Sequence, residues 1–289
     1  MIMKLTLKAP AKINLTLEVL SKRNDGYHEI RSVIQTIDLC DIITIDEGKD
    51  ISFQSATKEW DAEKSLVSKA VSLFRETTGF TRGVSITVEK NIPIMAGLGG
   101  DSSDAATVLR GLNQFCETDL SFEELHRMTE QLGSDVPFFL YGGTALIEGR
   151  GEIVASLTSV PEMYLVLAVP SIDILPGKTG RLFESLTTNH YTDGDITRGF
   201  VEVLKTGSKT PPLFNTFENV AYDVFPGLDV FKEHFIKLGA EKVHLAGSGP
   251  VLFTVVPNLT AAEDLYRQLE KQRMNPIVAK TTDEIEKIV

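Results

Sequence analysis

The stretch Pro93-Ile94-Met95-Ala96-Gly97-Leu98-Gly99-Gly100-Asp101-Ser102-Ser103-Asp104-Ala105-Ala106 runs from a glycine-rich loop straight into residues with helical spacing. Ala105, Val108, Leu109 and Leu112 recur at helical intervals after it, and Val84, Ile86 and Val88 alternate with polar residues before it. The order is strand, glycine loop, helix. Glycine lets a backbone approach a ligand closely, and a helix start leaves amide N–H groups unpaired. The loop is therefore either a phosphate site or a tight turn capped by serines. It is not a P-loop, because Asp101 follows the last glycine where Lys-Ser/Thr is required, and it is not a dinucleotide fingerprint, because Ser102 stands where the third glycine belongs. No His-Arg-Asp or Asp-Phe-Gly signature of protein kinases occurs.

Outward from this stretch, residues 5–9 and 13–19 alternate apolar and polar and predict two strands broken at Pro10. Asn24-Asp25-Gly26 is a hairpin turn signal, and 30–37 and 42–45 continue a strand-rich first third. Residues 65–78 read as a helix, Ser121-Phe122-Glu123-Glu124 as a capping box opening another, and 144–147 with 153–154 as a hairpin. A second unit begins near 160, with strands at 163–169 and 251–256 and helices at 229–238 and 261–272. Loops and short helices are expected over 170–215. Strands and helices mix without a βαβ rhythm, so the fold class is α+β, divided into domains 1–158 and 159–289.

The chain has 289 residues, with 29 Lys and Arg against 40 Asp and Glu, a net charge of −11. Nucleic-acid binding needs a basic footprint, so nucleic acid is not an expected partner. No apolar run approaches the roughly 20 residues of a membrane span, and residues 1–6 alternate like a strand rather than a secretory leader. A cytoplasmic location with no membrane partner is the expectation. Two cysteines, Cys40 and Cys116, are too few for a disulfide framework, and no metal-type spacing of ligands occurs.

Several side chains invite a chemical reading beside an ordinary one. Asp135, ahead of Val136-Pro137-Phe138-Phe139, is either a helix N-cap or a partly desolvated carboxylate of raised basicity. Lys12 among Ala11, Ile13 and Leu15 is either an exposed strand position or a functional cation, and Asn14 shares its strand face. Tyr27 and His28 follow the hairpin turn as loop surface, or as a ring and an imidazole for a nucleobase. Gly247-Ser248-Gly249 reads as a turn before a strand.

Taken together, three segments in order resemble the GHMP kinases, the superfamily of galactokinase, homoserine kinase, mevalonate kinase and phosphomevalonate kinase. They are Ala9-Pro10-Ala11-Lys12-Ile13-Asn14-Leu15, the 93–106 stretch, and Leu245-Ala246-Gly247-Ser248-Gly249-Pro250. Asp25-Gly26-Tyr27-His28-Glu29, Leu132-Gly133-Ser134-Asp135-Val136-Pro137-Phe138-Phe139, Thr144-Ala145 and Gly149-Arg150-Gly151-Glu152 are similar to one branch of it. That branch phosphorylates the 2-hydroxyl of 4-diphosphocytidyl-2-C-methyl-D-erythritol in the non-mevalonate isoprenoid pathway. The likeness is dense over 5–155, thin over 156–240, and returns at 239–253.

The resemblance implies a two-domain fold, ribosomal protein S5 domain 2-like first and ferredoxin-like second, with the active cleft between. It implies Lys12 and Asp135 as the catalytic pair. ATP would lie along Pro93, Ile94, Met95, Ala96, Gly97, Leu98, Gly99, Gly100, Asp101, Ser102 and Ser103. The acceptor would meet Asn14, Tyr27, His28, Thr179, Phe183, Gly247, Ser248 and Gly249, with Phe183 offering a stacking face opposite Tyr27. Mg²⁺ would arrive with ATP rather than on dedicated protein ligands. The partner is a small molecule carrying a cytidine diphosphate group, bound by a monomer or homodimer. Asp101 departs from the family, which has a small residue there. Aspartate caps helices well, but a carboxylate beside a triphosphate repels it, so Asp101→Gly is expected to tighten ATP at a stability cost of a few tenths of a kcal/mol. The alternatives are another small-molecule alcohol kinase of the superfamily, or a catalytically idle nucleotide-binding relative.

Overall fold

The computed structural model describes residues 4–173, 177–206 and 212–283. Two long strands, β1 (Lys4–Lys22) and β2 (His28–Gly48), form an antiparallel hairpin around the expected turn at Asn24-Asp25-Gly26. Neither breaks where the sequence reading placed a break. Pro10 lies inside β1, because its fixed φ suits extended backbone and the ladder shifts register between Pro10 and Ala11. Residues 38–41 likewise stay extended within β2.

The chain continues through β3 (Ser52–Gln54), α1 (Leu66–Thr78), β4 (Gly83–Glu89), α2 (Gly100–Cys116), α3 (Phe122–Leu132), the one-turn α4 (Phe138–Tyr141), β5 (Thr144–Gly149) and β6 (Ile153–Ser156). The first half of β2 pairs with β5 and its second half with β4. One core lies between this sheet and α1 to α4, built on Phe74, Ile86, Leu109, Phe138 and their neighbours. Ser65 caps α1, and Ser121 with Glu124 closes the expected capping box of α3. The expected boundary at 158 falls in the connection from β6 to β7 (Tyr164–Ala168).

The remainder carries α5 (Lys178–Ser185), α6 (Asp195–Thr206), β8 (Phe214–Asn215), α7 (Ala221–Val224), α8 (Leu228–Lys237), β9 (His244–Leu245), β10 (Leu252–Val256), α9 (Leu259–Lys271) and β11 (Pro276–Lys280). Its sheet has the order β11-β7-β10-β9 with every neighbour antiparallel. With helices after β7 and β10 this is the expected ferredoxin-like arrangement. The two halves interlock: β8 joins the edge of the first sheet beside β1, and Thr281 bridges to Ile37.

The alternation of β1 organises everything else. Its odd residues Ala9, Ala11, Ile13, Leu15, Leu17 and Val19 are all buried in apolar clusters. Its even residues Lys12, Asn14, Thr16 and Glu18 are buried as well, although they are polar. A strand buried on both faces normally reads apolar on both. Buried polar side chains need partners, and the register shift after Asn14 divides these: Lys12 and Asn14 bond each other on one side, while Thr16 and Glu18 accept from Thr197 of α6 on the other.

Candidate active site

A cleft of about 1040 Å³ opens onto Lys12 and Asn14 of β1. Residues 93–102 line it, together with Lys12, Asn14, Tyr27, His28, Asp135, Thr179, Phe183, Gly247 and Ser248. Two candidates lie behind its wall. Ser103 is one helical turn inside α2 and fully buried, its hydroxyl without a partner among the described residues. Gly249 turns away, its N–H donating to Ala246 O at 2.7 Å.

The glycines of the loop are required by packing as much as by any ligand. A Cβ on Gly97 would lie 2.0 Å from Ala246 O, and one on Gly247 would lie 2.6 Å from Gly97 O and 2.9 Å from Lys12 Nζ. Both residues also take positive φ, 84° and 53°. A Cβ on Gly99 would lie 2.7 Å from the Phe139 ring and 3.0 Å from Lys12 Cγ. Here Lys12, the glycine loop, α4 and the 245–250 turn converge, although more than 230 residues of chain separate Lys12 from that turn. Gly99, in left-handed conformation, is the N-cap of α2 and supplies no side-chain acceptor. The first amides of α2 are thus left to an anion, and the loop fits phosphate.

Lys12 Nζ donates to Asn14 Oδ1 at 2.8 Å and lies 3.6 Å from Asp135 Oδ2. Asn14 is in turn fixed by donating to Ser32 Oγ at 2.8 Å, and Ser32 donates to Thr16 O at 2.5 Å. The lysine side chain is 5% exposed and the aspartate 44%. Asp135 is thus half-buried, as a partly desolvated carboxylate would be, and it is not a helix N-cap, since Pro137 holds that place for α4. Its chemical setting is the neighbouring ammonium.

At the other end of the cleft the His28 ring stacks on Phe183, centroids 4.7 Å apart and planes at 14°. Burial, with the positive charge of Lys22, lowers the His28 pKa below its ordinary value. Tyr27 is 51% exposed, with the Arg150 guanidinium 5.0 Å over its ring. His28 thus occupies one face of the Phe183 ring, and Phe183 lines the cleft beside Tyr27. Thr179 Oγ1 donates to Ser248 Oγ at 2.9 Å, joining α5 to the 245–250 turn.

Two family models divide the chain: the GHMP kinases N terminal domain over residues 65–143 and the GHMP kinases C terminal domain over 208–275. A 4-diphosphocytidyl-2-C-methyl-D-erythritol kinase of Dehalococcoides mccartyi is 46% identical over 266 residues, 92% of this chain and 94% of its own. The chain belongs to the GHMP kinase family. A second relative of the same name, from Geobacillus thermodenitrificans, is 38% identical over 92% of this kinase and 93% of its own length. A crystal structure of 4-(cytidine 5'-diphospho)-2C-methyl-D-erythritol kinase superposes with a TM-score of 0.81 at 30% identity, covering 96% of this kinase and 99% of that chain. Homoserine kinase from Cytophaga hutchinsonii shares the fold, with a TM-score of 0.71 at 19% identity over 98% and 95% of the two chains.

As a GHMP kinase the protein uses ATP, and one residue of its phosphate loop needs reinterpretation. Asp101 does not cap its own helix. Its carboxylate accepts from Ser65 Oγ at 2.5 Å and from Leu66 N at 3.0 Å, at the N-terminus of α1. The positive end of α1 already balances the charge expected to repel triphosphate. Asp101→Gly is accordingly expected to cost the kinase about 1–2 kcal/mol of stability, not a few tenths, because charge-assisted hydrogen bonds are lost at a second helix. Urea denaturation of both proteins measures it, and a loss under about 0.5 kcal/mol would contradict this role.

Three residues at or behind the cleft stand out among those the sequence reading missed. Ser32 fixes Asn14 from β2, and no motif marked it. Lys90 lies under α2, where a Cβ on Gly100 would be 3.3 Å from its Nζ; its ammonium bonds Asp41 and, at 2.8 Å, Asp104. Lys178 faces the cleft from the first position of α5. The only available signal was its place beside Thr179.

Proposed function

We propose that this kinase transfers the γ-phosphoryl group of ATP to the 2-hydroxyl of 4-diphosphocytidyl-2-C-methyl-D-erythritol. One observation carries the reading. A single cleft runs from the glycine loop, past Lys12 and Asp135, to an aromatic end built from Tyr27, His28 and Phe183. Phosphoryl transfer needs held phosphates, a proton acceptor and positive charge, and the glycine loop with the Lys12–Asp135 pair supplies them. An aromatic end is what a nucleobase-bearing acceptor requires and a mevalonate or homoserine acceptor does not. The relatives' names agree with it.

In this reading Asp135 takes the proton of the acceptor hydroxyl. Lys12 stabilises the oxygen left behind and the charge spread over the moving phosphoryl group. Asn14 and Ser32 hold the lysine so that it does not reorganise during the reaction. ATP supplies the phosphoryl group, and Mg²⁺ accompanies its phosphates. His28 and Tyr27 hold the cytosine, with the Arg150 guanidinium displaced from the tyrosine face or stacked beyond the base.

The test is a coupled ADP-release assay against a panel of acceptor alcohols, with mass-spectrometric identification of the product. The cytidine diphospho-alcohol should be the preferred acceptor. Turnover confined to mevalonate or homoserine would replace this reading with another alcohol kinase, and none with any acceptor would indicate an idle relative. Within it, Tyr27→Ala is expected to raise acceptor KM about tenfold or more, since one stacked base is worth about 1–3 kcal/mol, and to leave ATP KM alone. A rise in ATP KM instead would assign Tyr27 to the donor.

A further inference from the structure

Lys178 is buried at the first position of α5, on the wall shared with Lys12 and Asp135. Its ammonium donates to Ser248 Oγ at 2.8 Å, to Ser248 O at 3.1 Å and to Gly249 O. All three are neutral oxygens of the turn whose Gly247 abuts Gly97 and Lys12. Among the described residues no carboxylate lies within ion-pair distance of it. The positive end of a helix is a poor place for a cation, and burial without a counter-charge is costly. A second cation, Lys12, acts on it across the cleft. The local charge is short of an anion, and the cleft beside it is where a ligand lies.

We propose that Lys178 recognises the acceptor's diphosphate: clamped to the Ser248–Gly249 turn, its ammonium supplies the positive charge that this dianion needs between the reacting centre and the nucleobase. The inference rests on the acceptor reading given above. Its position on α5 supports it. Phe183, under His28, is one turn and a residue further along α5, and Thr179 is four residues before Phe183, hence on the same face. Lys178 and Thr179 therefore stand between the aromatic end and the Lys12–Asp135 pair, the interval that a diphosphate spans in a cytidine diphospho-alcohol.

The charge state follows from the surroundings. Burial, then the like charge of Lys12, lowers the Lys178 pKa to about 7, and Asp135 opposes them. Lys12 comes from β1 and Asp135 from the segment after α3. The turn between β9 and β10 contributes neutral oxygens; on α5 itself Arg181 is exposed, and Glu184, also exposed, lines the cleft. His28 is the other group at this end that titrates in the same range. A dianion beside Lys178 favours its charged form, so binding draws a proton from solvent.

The experiment is calorimetric titration of the whole protein with 4-diphosphocytidyl-2-C-methyl-D-erythritol, without ATP, at pH 7.5 in two buffers of unlike ionisation enthalpy. The ligand's diphosphate is a diester and does not titrate there. A lysine near 7 is about one-quarter protonated at pH 7.5, so charging it takes up roughly 0.7 of a proton. The wild type should show that uptake. Lys178→Met and Lys178→Arg should both lose it, the first for want of an amine and the second because guanidinium is charged before and after binding. Lys178→Met should also weaken the acceptor about tenfold with ATP unaffected, and Lys178→Arg should recover part of that affinity. If Lys178→Met fails to fold, Lys178→Arg still carries the proton test. Binding by the wild type without proton uptake overturns the role of Lys178 alone, and so does uptake that survives in both variants, which would assign it to His28. Failure of the wild type to bind this ligand removes the acceptor reading, and this role with it.

Discussion

Asp135→Asn is expected to cut kcat about 10²–10⁴-fold, with ATP and acceptor binding changed by no more than a few-fold. The substitution keeps the shape of the side chain and removes its ability to take a proton. The site is suited to the comparison, because the carboxylate is 44% exposed and among the described residues no helix cap depends on it, so the fold should be indifferent. The neighbouring Lys12 stays in place through Asn14, whose amide is held by Ser32. Single-turnover rates at saturating ATP and acceptor, alongside a melting curve, separate chemistry from folding. A loss below roughly tenfold in a folded variant would transfer the proton-accepting role elsewhere.

Lys90→Met should cost about 3–5 kcal/mol of stability, the largest folding effect expected of an exchange near the cleft. Asp41 and Asp104 are both fully buried, and Lys90 is the cation between them. Asp104 also leaves its Oδ1 without a partner among the described residues. Burial pushes the Asp104 carboxyl well above the usual range and Asp41 adds to this, against the pull of Lys90. For Lys90 itself burial disfavours the charge, but Asp104 and Asp41 outweigh it and raise the ammonium. Methionine would leave two buried carboxylates facing each other, raising Asp104 further. A folded-state pKa raised above the unfolded one gives stability that is present below the unfolded value and lost as pH rises through the folded one. The deficit of the variant should therefore be smaller at pH 5 than at pH 8. Adding Asp104→Asn should restore part of it by removing one of the two charges. Urea denaturation at both pH values decides the matter, and a deficit under 1 kcal/mol that is flat with pH would mean the triad carries little of the loop's stability.

Much of the helical framework was legible. Leu109 and Leu112 are buried on α2 as their spacing implied, Ser121 and Glu124 close their capping box, and the 144–154 hairpin forms. Local patterns of this kind depend on a few neighbouring residues, which periodicity and cap chemistry report directly. Pro10 misled because a proline signal is local, whereas continuity of β1 is decided by the partner strand, which absorbs the irregularity by a register shift. Asp101 misled for the same reason. Its position marked it as a cap for α2, but the hydrogen bonds it makes lie 35 residues away at Leu66.

The sequence by itself determined the glycine loop feeding a helix, the alternation that makes Lys12 and Asn14 neighbours on one strand face, and the pairing of Tyr27 and His28 after a tight turn. These are consequences of backbone period and turn chemistry within a dozen residues. Only the tertiary structure decided that Lys12 faces Asp135 at 3.6 Å, that the His28 ring stacks on Phe183, and that Lys178 is buried against the 245–250 turn with no counter-anion among the described residues. Distance, burial and charge balance belong to the packing of segments remote in the chain, and no local pattern encodes them.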